Sequence, residues 1–219
     1  MTQTTKNKAI ILDMDGTIVD NMHFHRKSWI GFLKKHSIFI NEDQFQAQNH
    51  GTINEMITRF FGAATGTEKI KALGLEKEAL YRDLYQGQVE EIKDFTIFLK
   101  KLKEKGFKIA LATMGNKDNI DFTLSAINVT AYFDVIVGGD DVTRGKPDPS
   151  IYLKAIELLD ADVNHSFAFE DSPGGIQSAK TAGLKVIGIT TSHSKEELVA
   201  YGCIDAFKDF QHFNYTIFN

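Results

Sequence analysis

The sequence has little of what staples a chain together. Among its 219 residues there is one cysteine, Cys203. A single thiol excludes an intrachain disulfide and any cysteine-based metal cage, so Cys203 is read as inert packing. No apolar run is long enough to span a membrane. The opening "MTQTTKNKAI" has no apolar stretch of the kind a signal peptide carries. Charge of one sign is also lacking, because the net value is only −4. That gives no general reason to expect a nucleic-acid partner. There is no internal repeat and no low-complexity segment. The lysine-rich "KKLKEKGFK" (100–108) reads as a solvated helix face, with basic-patch binding a minor alternative. The expectation is a cytoplasmic protein, monomeric or weakly oligomeric, with neither membrane nor nucleic acid as partner.

A hydrophobic share of 42% is enough for one sizeable domain, or for a core with a smaller appendage. Five short apolar runs rich in β-branched residues read as buried strands: "KAIILDM" (8–14), "FKIALAT" (107–113), "FDVIVGG" (133–139), "SFAFED" (166–171) and "KVIGIT" (185–190). Helical stretches lie between them at 95–106, 117–128, 149–160 and 174–183. Gly106 and Gly183 stand where helix C-terminal caps belong. This alternation predicts an α/β fold, a Rossmann-like parallel sheet with helices on both faces. It breaks between about residue 21 and residue 90. That block reads helical throughout, with "FHRKSWIGFLKKH" and "LEKEALYRDLYQGQVEEI" its clearest amphipathic segments. The expected organisation is a core of residues 1–20 and 91–219 with a helical cap, 21–90, inserted after the first strand.

Ligands of an open α/β sheet bind at the carboxyl ends of its strands. Asp13 ends the first strand, Thr113 the second, and Glu170 and Asp171 the fourth. The loop after the third carries Lys146 in "TRGKPDPS". Asp13 and Asp15 stand two apart in "ILDMDGTIVD", with Gly16 behind them. The only prolines, Pro147, Pro149 and Pro173, fall in these same loops and stiffen them.

Two neighbouring carboxylates repel, so the pair needs a reason. A calcium loop would put Gly at the sixth position and Glu at the twelfth. Counting from Asp13, Gly16 is fourth and Phe24 twelfth, so that reading fails. A nucleophile beside a metal fits better. Oxygen-rich carboxylate sites suit magnesium, and Asp13 could form an aspartyl-phosphate. Magnesium, Lys146 and the Thr113 hydroxyl would neutralise charge on the transferring group. Asp15 would protonate the leaving oxygen and later deprotonate water. A phosphate-accepting receiver domain would be much shorter and have no insert. An idle binding protein should show a broken motif, and none is broken.

"DMDGT" (13–17), Thr113, Lys146 before a proline, and "EDSPGGIQSAKTAG" (170–183) resemble, in order, the four motifs of the haloacid dehalogenase superfamily. With its helical insert the chain is similar to the branch containing β-phosphoglucomutase and its related phosphatases. The resemblance covers nearly the whole chain. It implies Asp13 as nucleophile and magnesium ligand, with Asp15 as acid/base and metal ligand through its backbone carbonyl. Glu170 and Asp171 would complete the metal site. Thr113 would hold phosphoryl oxygens, with Met114, Gly115 and Asn116 beside it, and Lys146 would neutralise charge.

The resemblance also points to the insert for substrate binding. It implicates His25 near the hinge, Lys77, and the loop "QNHGTINEM" (48–56), with His50, Gly51, Thr52 and Asn54. A mutase pattern has a lysine where His50 stands and an arginine where Asn54 stands. Asparagine cannot replace the charged bidentate grip of arginine on a second phosphate. The departure favours a phosphatase acting on a small phosphorylated metabolite such as a sugar phosphate, with a phosphomutase as the alternative.

Overall fold

Ile10, Ile11 and Leu12 are wholly buried, covered on both faces, as a central parallel strand requires. They belong to β1 (Ala9–Leu12). The other strands are β2 (Lys108–Ala112), β3 (Val135–Val137), β4 (Phe167–Glu170), β5 (Lys185–Ile189) and β6 (Asp205–Phe207). All pair in parallel, in the order β3-β2-β1-β4-β5-β6. The register sets Leu12 between Leu111 and Phe169. The chain was analysed as a computed structural model describing residues 6–218. The first five residues, part of the stretch in which no signal peptide is expected, lie outside the described residues, as does Asn219.

The core helices are α5 (Phe95–Glu104), α6 (Lys117–Ala126), α7 (Ser150–Leu159), α8 (Pro173–Thr181) and α9 (Lys195–Tyr201). One sheet face packs on Phe95, Phe98, Leu99 and Leu102 of α5 and on Phe210 and Phe213 of the C-terminal tail. The opposite face packs on Ile151, Tyr152 and Ala155 of α7 and Ile176 and Ala179 of α8. Truncating a wholly buried ring such as Phe98 to alanine would cost about 3–5 kcal/mol. Gly106 and Gly183 follow α5 and α8 with φ of 75° and 91°, the left-handed cap geometry their positions predict. Cys203 is buried, and burial raises its thiol to about 12, which keeps it unreactive.

Between β1 and α5 the chain forms α1 (Met22–Lys35), α2 (Glu42–Gln46), α3 (Ile53–Phe61) and α4 (Thr67–Tyr85). They share an apolar cluster of their own, built on Trp29, Phe32, Leu33, Phe45, Met56, Ile57 and Leu73. Asn41 and Thr52 open α2 and α3 with reciprocal capping boxes.

Three readings need correction. The 21–90 block is not helical throughout, since loops separate its four helices. The amphipathic run beginning at Leu75 leaves the helix after Tyr85, and Gly87 at φ 76° turns the chain. The segment beyond it then runs back to the core, where the Ile92 N–H donates to the Ile18 carbonyl at 2.8 Å. A sixth strand, β6, extends the sheet beyond the five expected. Among the described residues, no helix is long and apolar enough to cross a membrane.

Candidate active site

β1 ends by delivering Asp13 to the sheet edge, where its N–H still donates to the Phe169 carbonyl of β4 at 3.1 Å. The chain then turns through Gly16 at φ 80°, and a side chain there would lie 2.2 Å from Asp171 Oδ2. Only glycine meets both demands.

Lys146 arrives from the β3–α7 loop and is buried. Its Nζ donates to Asp13 Oδ1 and to Glu170 Oε1, each at 2.6 Å, and to the Ala112 carbonyl at 3.0 Å. Tyr152 Oη, from α7, donates to the same Glu170 oxygen at 2.7 Å. Glu170 is fully buried behind this lysine, with Gly175 packed so closely that a Cβ would touch its carboxyl. Ser192, following β5, donates to Asp171 Oδ2 at 2.5 Å. Ser172 caps α8, accepting from the Gly175 N–H at 3.2 Å, with Pro173 in the first turn.

The carboxylates of Asp13, Glu170 and Asp171 offer oxygens within 4.8 Å of one another. Burial pushes the Asp13 carboxyl well above its ordinary 3.8. Lys146 opposes this, while Glu170, Asp171 and Asp15 add to it. Burial, then Glu170, pushes Asp171 up to about 7. Three converging acidic groups and one lysine leave the pocket short of positive charge, and a divalent cation would supply it. The donor set is all oxygen, as a hard cation requires.

Asp15 lies in a different environment. Its Oδ1 accepts from Asn21 Nδ2 at 2.6 Å, and His25 Nε2 approaches the same oxygen at 3.3 Å. That approach is not an aligned hydrogen bond, because Nε2 has no hydrogen-bond partner. Burial pushes the Asp15 carboxyl up, but His25, Asn21 and Lys77 together outweigh it and hold the group below its ordinary value. Asn21 Nδ2 also donates to Tyr81 Oη at 2.7 Å, and the Tyr81 ring stacks on His25 at 3.9 Å.

A cavity of about 420 Å³ opens over these groups. Asp13, Asp15, Thr113, Met114, Gly115, Lys146 and Asp171 line it from the core, and His25, His50, Gly51 and Lys77 from the helical block. Lys77 is 1% exposed, lies over the Trp29 ring at 5.0 Å and pairs with Glu78 at 3.0 Å. Thr113 is buried, its Oγ1 accepting from the Gly115 N–H at 3.1 Å.

Thr52, Asn54 and Asn116 are not brought to this cavity. They line a neighbouring one of about 750 Å³, between α3 and the 139–143 segment. Thr52 Oγ1 caps α3 and Asn116 Oδ1 caps α6, so local helix chemistry engages both. Other cavity residues escaped the sequence reading. Ser192 and His193 follow β5 and line the cavity. The strand-end rule applied to the other strands would have found them. Asn21, Tyr81 and Tyr152 line neither cavity but form hydrogen bonds around Asp15 and Glu170, and they carry no local signal, because only the tertiary fold brings them there.

Fold and site together define a doubly wound α/β protein with a carboxylate–lysine centre at the carboxyl edge of its parallel sheet. The chain belongs to the haloacid dehalogenase-like hydrolase family, whose sequence model matches residues 10–189. It is 28% identical to the validoxylamine A 7'-phosphate phosphatase of Streptomyces hygroscopicus subsp. limoneus, over 87% of this chain and 89% of that one. To the beta-phosphoglucomutase of Bacillus subtilis it is 29% identical, over 83% of each. The crystal structure of a family IA, variant 3 hydrolase from Entamoeba histolytica superposes with a TM-score of 0.86 at 28% identity. That superposition covers 96% of this chain and 97% of the other.

Proposed function

We propose that this protein is a cytoplasmic, Mg2+-dependent phosphatase of a small phosphorylated metabolite such as a sugar phosphate, acting through an aspartyl-phosphate. Residues 21–90 serve as a cap over a core of residues 1–20 and 91–219. The observation that carries the reading is the division of the Asp13–Asp15 pair. Asp13 faces Lys146 within the acidic cluster, while Asp15, two residues on, is turned to Asn21 and His25. Two carboxylates in separate environments can take separate tasks.

Asp13 attacks phosphorus, and the bond to the leaving oxygen breaks. Lys146 holds Asp13 in place and balances charge on the phosphoryl group. The Thr113 hydroxyl and the N–H groups of Met114 and Gly115 receive phosphoryl oxygens. Asp15 gives a proton to the leaving oxygen, then takes one from the water that cleaves the aspartyl-phosphate. Asp15 is held ionised in the ligand-free site, which suits the second step. A phosphate anion entering beside it raises its proton affinity for the first. Asp13, Glu170, Asp171 and the Asp15 backbone carbonyl would hold Mg2+, which supplies charge neutralisation on the phosphoryl oxygens.

One observation keeps a phosphomutase as second reading. Lys77 puts a cation from the helical block into the cavity, where a second phosphate could meet it. Glu78 lies 3.0 Å away and pairs with that charge, and Asn54 lines the other cavity. Both points favour water over a sugar as phosphoryl acceptor. The test measures inorganic phosphate release from a panel of monoesters with Mg2+, beside glucose 1-phosphate with its bisphosphate activator. Release from sugar phosphates, abolished by Asp13→Asn, is expected. Efficient conversion of glucose 1-phosphate to glucose 6-phosphate would overturn the phosphatase reading.

A further inference from the structure

Beside the catalytic lysine the helical block and the core approach backbone to backbone, and one side chain, Glu55, bonds across the junction. A Cβ on Gly145 would sit 2.4 Å from the Gly51 carbonyl carbon and 2.5 Å from the Thr52 nitrogen. No side chain fits there, so the 48–52 loop and the Lys146 loop meet main chain to main chain. Gly51 itself has a φ of 90°, and a Cβ on it would strike Glu55 Oε2 at 2.6 Å. That carboxylate oxygen closes the junction. It accepts from the Thr52 N–H at 2.6 Å, within its own helix turn. It also accepts from the Gly145 N–H at 3.2 Å, across to the core. The adjoining residue, Lys146, is the one that bridges Asp13 and Glu170. Arg59 braces the same loop from behind, donating to the carbonyls of Gln48 at 2.6 Å and His50 at 3.1 Å.

Glu55 lines the neighbouring cavity and not the one over Asp13, so it has no direct part in the chemistry. Its reach is through Gly145. A carboxylate accepting two backbone N–H groups makes two charge-assisted hydrogen bonds. One of them ties the seated helical block to the segment that places the catalytic cation.

We propose that Glu55 is a positioning residue, a latch that couples seating of the helical block over the cavity to placement of Lys146. The phosphatase reading underlies the kinetic part of this proposal; the contact itself does not depend on it.

The experiment compares Glu55→Ala, Glu55→Gln and Thr52→Ala in the full-length protein. Amide hydrogen exchange at Gly145 is read by NMR without substrate, and hydrolysis of p-nitrophenyl phosphate is followed with Mg2+. Glu55→Ala should speed Gly145 exchange by about tenfold or more, the size of a lost hydrogen bond to a charged group. It should lower kcat by a similar factor with KM nearly constant. Glu55→Gln keeps an accepting oxygen and should restore most of both. Thr52→Ala weakens the α3 cap but leaves Glu55 on Gly145, so exchange at Gly145 should stay at the wild-type rate. Wild-type exchange at Gly145 in Glu55→Ala would overturn the latch. So would equal acceleration in Thr52→Ala, because the effect would then be helix capping. If the wild-type protein does not hydrolyse the ester, the phosphatase reading fails while the exchange comparison still decides the latch.

Discussion

Lys146, from the loop after the edge strand β3, meets Asp13, at the end of the central strand β1, at 2.6 Å, and the same ammonium reaches Glu170 at 2.6 Å. One cation thus serves two buried carboxylates. Burial alone would drive the lysine's proton off, but Asp13 and Glu170 outweigh it and hold the group charged. Lys146→Met leaves both carboxylates without their partner. In metal-free protein this should cost about 3–5 kcal/mol, the usual penalty for breaking a buried pair. Turnover should fall by about a hundredfold or more, as when one transition-state donor is removed. Urea unfolding with and without Mg2+ checks the first expectation, since the metal should recover part of the loss. Unchanged metal-free stability would show that the pair is not coupled to folding.

Asp15→Asn tests the division of labour within the pair. The Asp15 carboxyl is engaged by Asn21 and His25 and stands apart from the acidic cluster. Its substitution should therefore leave Mg2+ affinity, measured by calorimetry, close to wild type. Turnover should drop by about 10²–10⁴-fold, the range for general acid–base catalysis. A parallel collapse of metal affinity would contradict the separation.

The parts of the fold legible in sequence were those whose signal is local. The strands read at residues 8–14 and 185–190 are observed at Ala9–Leu12 and Lys185–Ile189, because short apolar runs rich in β-branched residues suit a buried parallel strand. β6 escaped because its three residues, Asp205–Phe207, include none that is β-branched, unlike the equally short β3 (Val135–Val137). Such a strand is made by its neighbour rather than by its pattern. The four-motif resemblance and the sheet-edge rule both led to Asp13, Thr113, Lys146 and Asp171, and the structure brings these together around one cavity. Loop 48–56 was harder. Thr52 and Asn54 follow Gly51 in sequence but line the neighbouring cavity. No linear pattern shows that successive residues of one loop face two different cavities.

Gly16 and Gly175 should tolerate no side chain, for related reasons. Gly16→Ala forces alanine to φ 80° and drives its Cβ to 2.2 Å from Asp171 Oδ2. The backbone strain alone is about 1–3 kcal/mol, and Asp171 must move. Gly175→Ala places its Cβ 2.0 Å from the Glu170 carboxyl. Both variants should lose Mg2+ affinity along with stability. Thermal melts and metal titration check this. Either variant binding Mg2+ as wild type would mean that the displaced carboxylate is not a ligand.

Metal dependence and pH dependence should be linked. Burial, and Glu170 beside it, raise the metal-free Asp171 carboxyl from 3.8 to about 7, and Asp13 moves in the same direction. Such groups bind their protons more tightly folded than unfolded. They stabilise the fold fully below about pH 4 and lose that contribution as pH rises through about 7. A divalent cation requires the ionised carboxylates, so its stabilisation should grow over the same interval. Melting temperatures in chelator and in Mg2+ should differ little at about pH 5 and clearly at about pH 8. An equal gap at both would separate the metal from Asp13 and Asp171 and place it elsewhere.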